Sequence, residues 1–292
     1  AGCFAVTVLA RASMAGALLA GAALAQDFAP EASTGQVAKT AVHATRQMVA
    51  AAHPLAAQAG LDILRAGGNA VDAAIATQLV LNVVEPQSSG IGGGAFLLHY
   101  DAASRRLSSF DGRETAPAAA SADRFVLGGA RTRNFQGYLQ RVGSGRSVGV
   151  PGLVRMLELA HARHGRLAWP RLFAPAIRVA EEGFAMSPRL AQLIARDPLL
   201  KGNDAARALY FLADGSPKPA GTLLRNPELA AVFKRIAYEG PVAFYEGDIA
   251  REIVAAVAAQ RLPGDMTMAD VAAYRARERP ALCAPYRGYK VC

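Results

Sequence analysis

The sequence predicts an α+β fold, on three observations. Two stretches, Ala95 to Tyr100 and Arg106 to Phe110, flank a short polar loop as the strands of a hairpin do. A helical periodicity occupies most of Pro151 to Ala258. A small-residue helix before the hairpin is apolar nearly all round, as an element buried between layers is. With 292 residues, 52% of them hydrophobic and 19% charged, the chain has apolar material for a sizeable core and lacks the composition of a disordered polymer.

The elements follow in order. Residues 1–25 carry Arg11, an uncharged apolar stretch from Ala15 to Leu24, and Ala23-Leu24-Ala25. A positive flank, an h-region of about ten residues and a small-x-small site together predict a secretory signal cleaved after Ala25. The run is short for a membrane span, which takes about 20 apolar residues; the apolar stretch from Cys3 to Ala10 leaves an uncleaved anchor as the alternative. Residues 26–46 are mixed and polar and are expected to be a flexible leader, with one ordered body over 47–292. Met48 to Ala52 is expected to be a buried strand ended by His53-Pro54. Pro54 suits the first turn of a helix that Gly67-Gly68 stops. Asn69 caps the next helix, with Asp72 in the place of a capping-box acid, and Pro86 closes it.

A glycine-dense turn, Ser88 to Gly94, leads into a hairpin whose strands, 95–100 and 106–110, flank Asp101 to Ser104. Residues 121–147, rich in Gly and Arg, are expected to be loop. Helices are expected from Pro151 to Ala195 with breaks at Gly165, Pro170 and Gly183, then from Asn226-Pro227, from Ile249 to Ala258, and from Met268 to Tyr274 behind Thr267; Arg275 onward is expected to be extended.

Lysine and arginine number 32 against 23 acids, a formal charge of +9. The arginines are dispersed, with no lysine-rich run and no interleaved aromatics, so the charge reads as a solvated surface and nucleic acid is not an expected partner. Nucleotide chemistry finds no foothold either. There is no Gly-x-x-x-x-Gly-Lys-Ser/Thr, and Gly90-Ile91-Gly92-Gly93-Gly94 precedes a strand instead of opening a helix. His161 and His164 sit three apart on an expected helix, but Arg163 and Arg166 beside them would repel a cation and no third ligand completes a metal spacing. His53 and His99 read as structural. Cys283 and Cys292 flank a turn at Pro285 to Gly288 that could bring the sulfurs together; two buried, unpaired thiols are the alternative.

The segment with chemical information is 85–117. Glu85-Pro86-Gln87-Ser88-Ser89-Gly90-Ile91-Gly92-Gly93-Gly94, followed by the hairpin and Asp111-Gly112-Arg113-Glu114-Thr115-Ala116-Pro117, resembles the gamma-glutamyltranspeptidase family. Gly68-Asn69-Ala70-Val71-Asp72, Pro175-Ala176-Ile177 with Glu181-Glu182-Gly183-Phe184, Phe244-Tyr245-Glu246-Gly247 and Pro285-Tyr286-Arg287-Gly288-Tyr289 follow in the family's order.

The resemblance implies the four-layer α/β/β/α sandwich of N-terminal-nucleophile hydrolases, incomplete in this chain, made as a precursor that cuts itself into a large and a small subunit. It implies a threonine nucleophile beyond residue 292, so no catalytic residue is expected within the chain, which alone should be inert. No metal or organic cofactor is implied. The expected partners are the small subunit, and small molecules: glutathione and related γ-glutamyl amides, with water or an amino acid as acceptor. The expected location is periplasmic or secreted. Relatives that deacylate glutaryl-type β-lactams or cut poly-γ-glutamate are the alternative within the superfamily, and a non-catalytic secreted binding module the alternative outside it.

One site residue carries over. In the family the arginine of this Arg-Glu motif grips the donor's α-carboxylate, and Arg113 holds that position. A guanidinium matches a carboxylate as a two-pronged fork, whereas a lysine keeps the charge and loses the fork. The competing expectation is an ordinary surface pair with Asp111 or Glu114. Glu114 could instead orient Arg113 or simply face water, and Gly92 to Gly94 are expected to permit positive φ and close approach at a subunit interface, with ligand contact the alternative.

Overall fold

The computed structural model describes residues 40–126 and 135–292; the expected signal segment lies outside them. Residues 40–45 belong to an N-terminal unit, Ala1–Thr45, and carry no helix or strand. Arg46–Cys292 forms the second unit.

In chain order this unit contains α1 (Pro54–Arg65), α2 (Ala70–Val84), β1 (Ala95–Asp101), β2 (Arg106–Gly112), α3 (Phe135–Val142), α4 (Leu153–His164), α5 (Trp169–Glu182), β3 (Phe184–Ala185), α6 (Pro188–Arg196), α7 (Asp204–Tyr210), β4 (Leu223–Leu224), α8 (Pro227–Glu239), α9 (Val242–Tyr245), α10 (Gly247–Ala258), α11 (Met268–Ala273), β5 (Arg277–Arg279), β6 (Ala284–Tyr286) and β7 (Tyr289–Val291). The α+β expectation holds.

Helix α2 is the buried middle. Its small side chains leave Val71, Ile75, Ala76, Leu79, Val80 and Val84 almost without exposure, packed among α1, α4 and α5. Its N-terminus is a capping box: Asn69 Oδ1 accepts the N–H groups of Val71 and Asp72, and Asp72 Oδ2 accepts that of Asn69. The Asp72 carboxylate, with no exposed surface, also takes the N–H groups of Arg166 and Leu167, clamping the α4–α5 turn onto α2. A small apolar helix can be held from all sides only if its polar end is paid in hydrogen bonds.

Three strands form the main sheet in the order β1-β2-β5, all antiparallel. Register sets its two faces. Leu97 opposes Phe110 and His99 opposes Ser108 on the side covered by α4, where Phe110 is fully buried. Phe96, Leu98 and Tyr100 alternate to the other side and are 54–65% exposed. On that open side Asp111 opposes both Phe96 and Arg277, and Ser109 opposes Arg279.

Several expectations need correction. Met48 to Ala52 is no strand: it alternates in exposure like one but pairs with no neighbour, and Met48 is more than half exposed. An apolar run becomes a strand only where an edge accepts its ladder. Within 121–147 the structure places α3, which accommodates Gly137 in its interior, and a 3₁₀ turn, Gly145–Ser147. Pro170 does not break a helix. It sits in the first turn of α5, where its missing N–H costs nothing. Helix α7 and the β3–β4 bridge were not foreseen.

Cys283 and Cys292 form a disulfide that closes the β6–β7 hairpin. Its turn is Arg287-Gly288, with φ of 46° and 82°, the two positive values of a tight two-residue hairpin turn.

Candidate functional site

The loop from Glu85 to Gly94 carries the chain from the end of α2 to β1, and it forms one wall of a cleft of about 570 Å³. Arg113 and Glu114, just past β2, line the same cleft, together with Gln78, Leu153 and Arg189.

The glycines make this wall possible. A Cβ on Gly94 would lie 2.6 Å from both Glu114 Oε2 and the Gly112 carbonyl oxygen, so any side chain there would force the strands' ends apart. None of Gly92, Gly93 and Gly94 adopts a positive φ, and the crowding comes from this chain's own Glu114 and Gly112; the expectation of positive φ is corrected. The Gly93 carbonyl accepts the N–H groups of Gly152 and Leu153, tying the loop to the start of α4.

Arg113 has a fixed base and an exposed head. Its N–H donates to Asp111 Oδ1 at 2.9 Å, and its carbonyl accepts the Tyr274 hydroxyl at 2.7 Å. The side chain is 64% exposed, and Nη1 lies 2.7 Å from Glu114 Oε2, without the alignment of a hydrogen bond. Glu114 therefore meets Arg113 instead of facing water, while Asp111 serves Arg113 through the main chain. That backbone bond is the largest cause holding the Asp111 carboxyl below its ordinary range, ahead of the Arg279 contact. Burial is the main cause pushing the Tyr274 hydroxyl up, with Asp111 and Glu114 adding to it, so it remains a neutral donor to the Arg113 carbonyl.

Across the cleft, Glu85 is buried at the end of α2 and accepts from Arg189 Nη1 at 2.7 Å. Gln78 Nε2 donates to Asn82 Oδ1 and to Ser89 Oγ, fixing the glycine loop to α2. Sequence reasoning missed Glu85, Arg189, Gln78 and Tyr274 as parts of this place. Glu85 and Ser89 lie inside the motif, the one available signal. Arg189 and Tyr274 reach it across 104 and 161 residues of chain, which no local pattern encodes.

The histidines go elsewhere. His53 caps α1 through Nδ1. His161 Nε2 lies 2.8 Å from the Leu167 carbonyl oxygen, and His164 packs against His99 with ring centroids 4.2 Å apart. His161 and His164 thus serve different neighbours and do not converge. The cleft is lined by an exposed guanidinium on a rigid main chain, a buried carboxylate already paired to a second arginine, and glycine backbone.

The chain matches the family model described as gamma-glutamyltranspeptidase over residues 56–292. It is 39% identical over 244 residues to the glutathione hydrolase proenzyme of Bacillus subtilis (strain 168), covering 84% of this chain and 40% of that protein. It thus spans about 40% of the length of the first curated relatives it matches. Among solved structures, gamma-glutamyltranspeptidase of Helicobacter pylori superposes with a TM-score of 0.77 at 30% identity, covering 86% of this chain and 70% of that one. Cephalosporin acylase from Bacillus halodurans superposes with a TM-score of 0.70 at 31% identity, covering 90% of this chain and 48% of that one.

Proposed function

Because the chain belongs to the gamma-glutamyltranspeptidase family, we propose that it forms the donor-binding part of an enzyme that hydrolyses or transfers the γ-glutamyl group of glutathione and related amides. Arg113 grips the donor's α-carboxylate. The observation that carries this reading is the pairing of a main chain anchored on both sides, through Asp111 and Tyr274, with a guanidinium left exposed in a cleft. A pre-positioned fork loses little freedom on meeting a carboxylate, and such a charge-assisted contact is worth about 1.5–3 kcal/mol.

The nucleophile in this reading is the N-terminal threonine of a small subunit cut from the same precursor. Its hydroxyl attacks the γ-carbonyl, its own α-amine takes the proton and passes it to the departing amine, and the acyl ester that results is relieved by water or by an acceptor amine. The open face of the sheet offers that subunit a seat: Phe96, Leu98 and Tyr100 present a row of exposed apolar side chains on one strand, next to Arg113 at the strand-end side. The segment from Arg11 to Ala25 supports export to the periplasm or medium, which N-terminal sequencing of the mature protein tests by reading Gln26 first.

The deciding experiment is Arg113→Lys in the full-length processed enzyme. The donor KM is expected to rise about tenfold or more, the loss of one charge-assisted contact, with the melting temperature unchanged. Donor kinetics identical to the parent would remove Arg113 from the site. Likeness to a cephalosporin acylase keeps glutaryl amides as a second donor class, and a panel of glutathione, glutaryl amides and poly-γ-glutamate separates the two.

A further inference from the structure

Where α2 meets the glycine loop, three side chains close a circuit of hydrogen bonds. Gln78 Nε2 donates to Asn82 Oδ1 at 3.0 Å and to Ser89 Oγ at 2.7 Å, and the Ser89 hydroxyl donates to the same Asn82 oxygen. Asn82 is only 4% exposed, so its oxygen depends on protein donors, and the circuit supplies two. The direction of the circuit is consistent throughout. Ser89 gives its single hydrogen to Asn82 and receives one from Gln78, while the Gln78 amide nitrogen uses both of its hydrogens.

What remains of Gln78 is its carbonyl. Oε1 accepts from no described residue and, unlike Asn82 Nδ2, it is not sealed from solvent. Gln78 lines the same cleft as Arg113. Two acids of that cleft are already answered: Glu85 accepts from Arg189 and Gln87, and Glu114 lies against Arg113. Gln78 thus brings to the cleft an acceptor whose orientation is fixed from behind and whose lone pairs are unused.

We infer that Gln78 touches the donor, its Oε1 accepting a hydrogen bond from the α-ammonium group. The inference rests on Arg113 holding the donor's α-carboxylate, which shares a carbon with that ammonium. Gln78 then separates γ-glutamyl donors from glutaryl ones, which have the same carboxylate and chain but hydrogen in place of the amine. An acceptor already held by Asn82 and Ser89 loses little freedom on meeting an ammonium. A hydrogen bond to a charged group is large enough to set a preference of about tenfold.

The test uses γ-glutamyl-p-nitroanilide and glutaryl-p-nitroanilide, which differ only in the α-amine, with the full-length processed enzyme. The parent is expected to favour the γ-glutamyl donor by at least about tenfold in kcat/KM. Gln78→Met, close in shape but without the acceptor, should cut that ratio about tenfold, through KM. Gln78→Glu restores an acceptor, and the Asn82 amide can turn its unpartnered Nδ2 toward the new carboxylate, so the ratio should match or exceed the parent's. Equal kcat/KM for the two donors in the parent overturns the inference. So does an equal loss for both donors in Gln78→Met, the mark of a residue that only holds the glycine loop. A ratio lowered by Gln78→Glu overturns it as well, which decides the matter even where Gln78→Met does not fold. Arg113→Lys separates the two readings, because both donors carry the carboxylate. KM raised for both upholds the donor site whatever Gln78 does, and KM unchanged for both removes the donor site and this inference together.

Discussion

Asp72 lies at the head of α2 with none of its surface exposed, and its carboxylate takes main-chain N–H groups from Asn69, Arg166 and Leu167. Arg113 lies at the end of β2 with its main chain held just as firmly and its side chain in solvent. Both are charged, and each stands in a stretch that resembles one of the family's motifs. In the first the protein's own groups satisfy the charge, so its free energy is spent on the fold. In the second the backbone is satisfied and the charged head, beside the Glu114 carboxylate, stays exposed to solvent. The two faces of the sheet repeat the contrast: one is closed by α4 over Phe110, and the other carries Phe96, Leu98, Tyr100 and the arginines outward.

The largest effect expected from breaking this contrast is on the Asp72 side. Asp72→Ala strands several buried N–H groups at about 1–3 kcal/mol each, so a loss on the order of 4 kcal/mol is expected in denaturant unfolding. A loss below about 1 kcal/mol would show that water or a relaxed turn replaces the carboxylate. Arg113→Lys belongs at the opposite pole, a defect in donor KM without a defect in stability.

Gly94→Ala joins the two poles. The added methyl meets Glu114 and the Gly112 carbonyl, and overpacking of this kind costs about 1–3 kcal/mol. Because Glu114 touches Arg113, the donor KM should rise as well; stability loss with unchanged KM would uncouple the glycine wall from the arginine.

The smallest effect concerns pH. Burial is the main cause lowering the pKa of His99 from its ordinary value of 6.5, His164 lowers it further, and Asp101 opposes both. The folded state then binds fewer protons than the unfolded chain, so stability is full above the histidine range and falls as pH drops from about 6.5 toward the lower folded value. His99→Gln should flatten the slope of stability against pH in that window, and an unaltered slope would place the titration at another residue.

Local signals fixed much of the fold in advance. Asn69 with Asp72, Asn226 before Pro227 and Thr267 with Asp270 cap helices where their side chains reach their own first turn, an interaction that spans three residues and needs no tertiary context. The hairpin strands and their loop were legible because two strand-like stretches around a short polar loop are a local pattern. The sequence motif also named Arg113.

What tertiary structure alone decided is whatever depends on a distant partner. Met48 to Ala52 has the pattern of a strand and no ladder, since pairing requires an edge elsewhere in the chain. Cys283 and Cys292 are joined because the Arg287-Gly288 turn sets the two strands in register. Tyr274 fixes the Arg113 main chain from 161 residues away. The sequence could name the guanidinium; only the packing could show that its backbone is held while its head stays exposed beside Glu114, because the hold on the backbone depends on a remote hydroxyl arriving there.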